Sequence, residues 1–232
     1  MGRPKAWLSW STGKDSAWAM HATRLRGEVE IVALLTTVNS THARVAMHAV
    51  RESLLDAQAE AVGLPLVKIP IPWPCPNGIY EQQMASAIAQ ARNQGVTQMI
   101  FGDLFLEDIR RYREEKLKGS GIAPLFPIWG TDTKRLAQEM LDAGLRAYLT
   151  CVDPKQLDPK FAGRAFDARL LAELPAGVDP CGEKGEFHTF AHAGPMFRSP
   201  ISVEVGEVVN RDSFYFADVL HPGDTGRAHR AV

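Results

Sequence analysis

The residues best suited to chemistry lie close behind the N-terminus, in Trp7-Leu8-Ser9-Trp10-Ser11-Thr12-Gly13-Lys14-Asp15-Ser16. An apolar run gives way to small hydroxyl residues and a glycine, and a mixed stretch of apolar and small residues follows. That order predicts a buried strand, a tight turn and a helix start. An anion would sit there, because the first N–H groups of a helix have no intrahelical acceptor and the helix dipole adds partial positive charge. Gly13 lets the backbone approach an anion with no Cβ in the way, Ser11, Thr12 and Ser16 supply hydroxyl donors, and Lys14 adds a full charge.

A GxxxxGK[ST] phosphate loop is excluded by spacing, since Leu8 stands where its first glycine must be and Asp15 where its hydroxyl residue must be. The stretch instead resembles the SGGKDS signature of the PP-loop pyrophosphatases, which split ATP between its α and β phosphates. Thr12 replaces a glycine of that signature. The competing structural reading is a serine-capped helix with an exposed lysine.

A second constellation is Asp179-Pro180-Cys181-Gly182-Glu183-Lys184-Gly185-Glu186-Phe187-His188-Thr189-Phe190. If its end is extended, Glu186, His188 and Phe190 share one face, which places a carboxylate beside an imidazole able to orient an amine or move a proton. A Gly-rich hairpin with a satisfied histidine is the alternative. Cys181 and His188 supply too few closely spaced ligands for zinc.

A third block, Gly102-Asp103 through Arg113, follows an apolar segment and mixes charges. Asp103 could help hold Mg²⁺, and Arg110 and Arg113 could clamp phosphate or carboxylate, with Glu107 beside them. The alternative is a solvated helix with i,i+4 ion pairs. Thr36 to His42 is a small, polar loop against which a purine could lie, and His48 stands just before the next helix. Pro70, Pro72, Pro74 and Pro76 alternate, which predicts a stiff wall or edge that makes no ladder hydrogen bonds.

These groups need a scaffold, and the pattern between them predicts one. Strands are expected at 5–10, 30–38, 66–69 and 99–101, with helices at 15–26, about 50–62 and 80–94. This β-α-β-α order predicts an α/β fold with a Rossmann-like parallel sheet, whose ligands bind beyond the carboxyl ends of the strands. After residue 130 the organisation changes. Helices near 132–143 and 162–174 and strands at 146–152, 201–205 and 213–220 predict a smaller α/β domain over 131–222, followed by a frayed tail at 223–232.

Composition sets outer bounds. The chain has 232 residues, 45% hydrophobic and 23% charged, so no shortage of core is expected. A formal net charge of -1 provides no general field for nucleic acid, and phosphate binding has to be local. No apolar run is long enough for a signal peptide or a membrane span, so a cytoplasmic location and no membrane partner are expected. Cys75, Cys151 and Cys181 are odd in number and far apart, which argues against disulfides and offers no CxxC pair.

Taken together, Ser11 to Ser16, Met47-His48 leading into Gln58 to Pro65, Gly102 to Arg113, Pro124 to Trp129 and Gly182 to Thr189 resemble the diphthine-ammonia ligase family of PP-loop ATPases, in order and over nearly the whole chain. The resemblance implies an adenine nucleotide α-hydrolase fold over 1–130, with ATP, ammonia and Mg²⁺ as the small molecules used. It also implies ATP-dependent amidation through an acyl-adenylate, in the compact form of the family. The nucleotide set is then Ser9, Ser11, Thr12, Gly13, Lys14, Ser16, Thr37, Val38, Gly102 and Asp103, with Asp15 and Asp103 toward Mg²⁺. Lys14, Asp15, Glu186 and His188 would be catalytic, and His48, Glu107, Arg110, Arg113, Glu183 and Thr189 would meet the acceptor carboxylate, on a protein or a small molecule. A homodimer is left open. A tRNA-thiolating PP-loop enzyme and a non-catalytic ATP- or AMP-binding module are the other readings.

Overall fold

In the computed structural model, which describes residues 2–40, 44–45 and 50–222, the opening apolar run forms β1 (Lys5–Ser9) and the turn after it starts α1 (Lys14–Arg26). His48 and the 223–232 tail lie outside the described residues. The chain continues through β2 (Glu30–Asn39), β3 (Arg44–Val45), α2 (Glu52–Val62), β4 (Leu66–Ile71), α3 (Asn77–Asn93), β5 (Val96–Ile100), α4 (Glu107–Leu117) and β6 (Ala123–Leu125). β2, β1, β5 and β6 lie side by side in that order, β4 pairs in parallel with the far edge of β2, and the short β3 joins β2 antiparallel. The mostly parallel sheet expected from the alternating elements is therefore present.

Alternation along β1 explains how the sheet is covered. Ala6, Leu8 and Trp10 pack into the core shared with α1 and α2, while Trp7 packs into the second cluster with Ala87 and Ala91 of α3 and Leu117 of α4. β2 likewise sends Leu34 to one cluster and Ala33 and Leu35 to the other, as its unbroken apolar run requires of a strand buried on both faces.

Two strands carry prolines, one of which, Pro70, the sequence reading kept out of the ladder. β4 runs through Pro70, opposite Val38, and β6 contains Pro124, opposite Met99. Both strands pair on one side only, so the missing N–H can face the open edge.

The second half holds α5 (Thr133–Asp142), β7 (Arg146–Val152), a 3₁₀ turn at Pro159–Phe161, α6 (Ala168–Glu173), β8 (Phe187–Ala193), β9 (Glu204–Arg211) and β10 (Phe214–Leu220). Its four strands form an antiparallel sheet in the order β8, β7, β10, β9. The helix expected over 162–174 is shorter. Gly163 and Phe166 donate to the Leu149 and Ala147 carbonyls, so this segment runs beside β7, and α6 begins only where Asp167 caps Leu170 N–H. The strand expected at 201–205 is also displaced. β9 starts at Glu204 and turns into β10 through Asp212 and Ser213, both at positive φ, a two-residue hairpin geometry.

Candidate active site

The turn between β1 and α1 is built from both halves of the chain. Gly13 is the N-cap of α1 and has no side chain to satisfy the first N–H groups. The hydroxyl of Thr189, on β8, accepts the Lys14 N–H at 3.1 Å in its place. Within the turn, Ser11 Oγ lies 3.2 Å from Ser16 Oγ, and Ser16 Oγ donates to the Gly13 carbonyl at 3.0 Å. Thr12 is fully buried with φ 71. Gly102, at the end of β5, presses on the same turn, because a Cβ built there would stand 2.9 Å from Asp15 C and Ser16 N. It acts as clearance for the start of α1.

Lys14 is not the exposed lysine of the bland reading. Its side chain is 1% exposed, its ammonium bonds Asp15 at 2.8 Å and the Cys181 carbonyl, and it lies 5.6 Å and 5.5 Å from the ring centres of Phe166 and Phe187. Burial works against its charge, but Asp15 and the surrounding acceptors outweigh that and hold the Lys14 proton above its ordinary value.

The acidic groups of the second constellation divide in function. Glu186 is buried and closes its own loop, accepting the N–H groups of Asp179 and Lys184 at 2.9 Å each. Glu183 accepts the Leu104 N–H at 2.8 Å. Burial, together with the nearby Asp15 and Asp103 carboxylates, pushes Glu183 up to about 7. His188 lines the cleft described below; burial and the Lys14 charge push it down to about 4, so it is neutral at physiological pH.

Beside the turn, a cavity of about 690 Å³ opens at the carboxyl edge of the parallel sheet, between the two halves. Ser9, Ser11, Thr36 and Thr37 line one side of it, α3 and α4 contribute Tyr80, Met84 and Arg113, and the antiparallel sheet contributes Cys151, His188, Phe214 and Phe216. A volume of this size suits a nucleotide-sized ligand.

Other expected residues lie elsewhere. Val38 is a core side chain between β3 and β4. Arg110 stacks on Phe126 and Trp129 at 5.0 Å and 4.8 Å and pairs with Glu114, and Glu107 is exposed in the first turn of α4. Arg113 reaches the cleft but is paired with Asp103 at 3.3 Å. Among the described residues no group of three His, Cys, Asp or Glu side chains is placed to hold a metal ion unaided. Asp15 and Asp103 stand near enough to Glu183 to raise its pKa, while Asp15 is paired with Lys14 and Asp103 with Arg113.

Sequence reasoning named Gln58 only as the start of a block that resembles the family and gave it no role. It is fully buried, its Oε1 accepts the Trp10 indole N–H at 2.8 Å, and its Nε2 donates to the carbonyls of Thr12 at 2.9 Å and Ala191 at 2.6 Å. The available signal was a polar residue inside the apolar stripe Leu54, Leu55, Ala59 and Val62 of α2.

Cys151 and Cys181 hold their protons. Cys151 is pushed up to about 12 by burial and Asp153, and the Cys181 thiol is also raised by burial, its Sγ lying 3.4 Å from the Thr133 carbonyl.

A Rossmann-like sheet whose first strand delivers Ser-Thr-Gly-Lys-Asp-Ser into a helix N-terminus defines an α/β protein of the PP-loop class. Within that class the chain belongs to the diphthamide synthase family. The family model for the diphthamide synthase N-terminal domain matches residues 4–124, and that for the C-terminal domain matches residues 132–219. The chain is 30% identical to the diphthine–ammonia ligase of Bos taurus and 29% identical to that of Homo sapiens, in both cases over 91% of this chain and 87% of the relative. A diphthine–ammonia ligase of Schizosaccharomyces pombe is 31% identical over 47% of this chain and 19% of its own length. No helix of the described residues is long and apolar enough to cross a membrane.

Proposed function

We propose that the chain is an ATP-dependent carbon–nitrogen ligase that adenylates a carboxylate and transfers ammonia to it, with the diphthine carboxylate of its relatives' name as the acceptor. The observation that carries this reading is the junction of the phosphate turn with the interdomain cleft, at one edge of the sheet, in a chain of this family. A carboxylate oxygen attacks the α phosphorus, the bond to the β phosphate oxygen breaks, and pyrophosphate leaves. Ammonia then attacks the acyl carbon, loses a proton, and AMP departs.

Within this scheme the Gly13 N–H and the Ser11 and Ser16 hydroxyls hold the leaving pyrophosphate. Lys14 can reach it only by exchanging its contact with Asp15 or with the Cys181 carbonyl. Mg²⁺ bound to the triphosphate would offset phosphate charge, with Asp15 and Asp103 as its protein ligands. Glu183, poised near neutrality, can take up the proton that ammonia releases. Neutral His188 can accept or donate a hydrogen bond in the cleft, and Glu186 keeps the loop that carries Glu183 in shape. The protonated, buried Cys151 and Cys181 favour this reading over sulfur transfer through them, which needs a thiolate.

The test uses ATP labelled at the α phosphate, with ammonium and a diphthine-bearing acceptor protein. AMP and pyrophosphate should form in equal amounts, dependent on both. Formation of ADP would overturn the reading, and tight nucleotide binding with no turnover would support the binding-module alternative.

A further inference from the structure

We propose that Gln58 is a positioning residue for the reaction. With the main chain of Ala191, it holds the Thr12 carbonyl and so sets the direction of the Gly13 N–H toward the phosphates. The inference deepens the proposed function, since it takes the turn to be the grip on pyrophosphate.

Thr12 is a poor choice for its own backbone. Its φ is 71, a region that a β-branched residue resists, and its buried hydroxyl makes no hydrogen bond among the described residues. Something outside the turn must therefore hold it. The Thr12 carbonyl accepts two donors, Gln58 Nε2 at 2.9 Å and Ala191 N–H at 2.9 Å. The two come from different halves of the chain, one from α2 and the other from β8.

The Gln58 amide fits only one way round. Its oxygen takes the indole N–H of Trp10 and its nitrogen serves two carbonyls, so a flipped amide would set donor against donor and oxygen against two oxygens. Trp10 is itself fixed, its main-chain N–H bonding the Leu35 carbonyl and its carbonyl accepting the Thr36 hydroxyl at 2.7 Å.

Peptide planarity supplies the consequence. The Thr12 carbonyl and the Gly13 N–H belong to one trans peptide unit and point in opposite directions. A carbonyl drawn inward to Gln58 and Ala191 sets the N–H outward, where it donates to Ser11 Oγ at 3.4 Å. Without its donors, that plane would be free to flip. A flip changes ψ of Thr12 and φ of Gly13, and puts a carbonyl oxygen in place of an N–H in front of the anion.

The test compares binding of α,β-methylene ATP with binding of AMP, by calorimetry, in the full chain. AMP lacks the two phosphates that the turn should grip and reports whether the rest of the cleft is intact. The wild type should prefer the triphosphate. Gln58→Met should lose about tenfold or more in affinity for the triphosphate, the worth of one hydrogen bond to a charged group, with AMP binding unchanged. A Gln58→Met protein that keeps the preference overturns the proposal. If Gln58→Met does not fold, Gln58→Glu decides: its carboxylate can still accept the Trp10 indole N–H but cannot donate to the Thr12 carbonyl, so it should show the same selective loss, and an unchanged preference would overturn the proposal. A wild type with no preference for the triphosphate would instead remove the phosphate-grip reading itself.

Discussion

The Thr189 hydroxyl accepts the main-chain N–H of Lys14 at 3.1 Å, so a residue 175 positions further along the chain caps the first turn of α1. Gly13 cannot cap that turn with a side chain, and β8 is placed to do so because Ala191 also bonds the Thr12 carbonyl. Replacing Thr189 by valine keeps the branched shape suited to a strand and removes the acceptor. Thr189→Val should cost about 1 kcal/mol. That should appear as a fall of roughly 2–4 °C in the thermal midpoint for a chain of this size, measured by calorimetry.

Gly102 meets the other side of the same turn. The atoms a Cβ would strike are backbone, Asp15 C and Ser16 N at 2.9 Å, and cannot rotate away. Gly102→Ala should therefore destabilise by about 1–3 kcal/mol through overpacking, and should weaken triphosphate binding because the turn has to move. Gly78, in the first turn of α3, has open space around it, with nothing within 4 Å of the methyl group that alanine would add. Gly78→Ala is the matched control and should leave both measurements unharmed.

Glu183 predicts a dependence of stability on pH. Burial and the carboxylates of Asp15 and Asp103 raise it from an ordinary 4.5 to about 7, so between those values the folded chain keeps a proton that the unfolded chain has released. Its contribution is fully present below pH 4.5 and is lost as pH rises through about 7. Gln mimics the protonated carboxyl, so the thermal midpoint of Glu183→Gln should gain on that of the wild type as pH is raised across this window. Two melting curves that stay parallel from pH 4.5 to about 7 would show that Glu183 does not titrate there.

The scaffold was legible wherever burial imposes a period. β1, β2, β7, α1 and α5 fall within a residue or so of their expected limits because apolar runs and glycine stops mark them. β9 was not, since it is an edge strand with most of its residues exposed, and no alternation records its burial. The turn at Ser11 to Ser16 could be read from its residue types, but the nearness of Asp15 and Asp103 to Glu183 could not. What the sequence could not disclose was long-range pairing. Nothing local says that Lys14 lies under Cys181, that Thr189 caps α1, or that Gln58 bridges Thr12 and Ala191, because each contact depends on how the antiparallel sheet docks.

The enclosure of Lys14 also bears on the order in which the molecule can be finished. Its ammonium is walled in by Phe166, the Cys181 carbonyl and Phe187. On a ribosome these residues emerge long after the lysine, which must meanwhile remain hydrated. A stretch made before its own wall thus cannot reach its final shape early, and stripping water from that one cation has to wait for the second half of the chain.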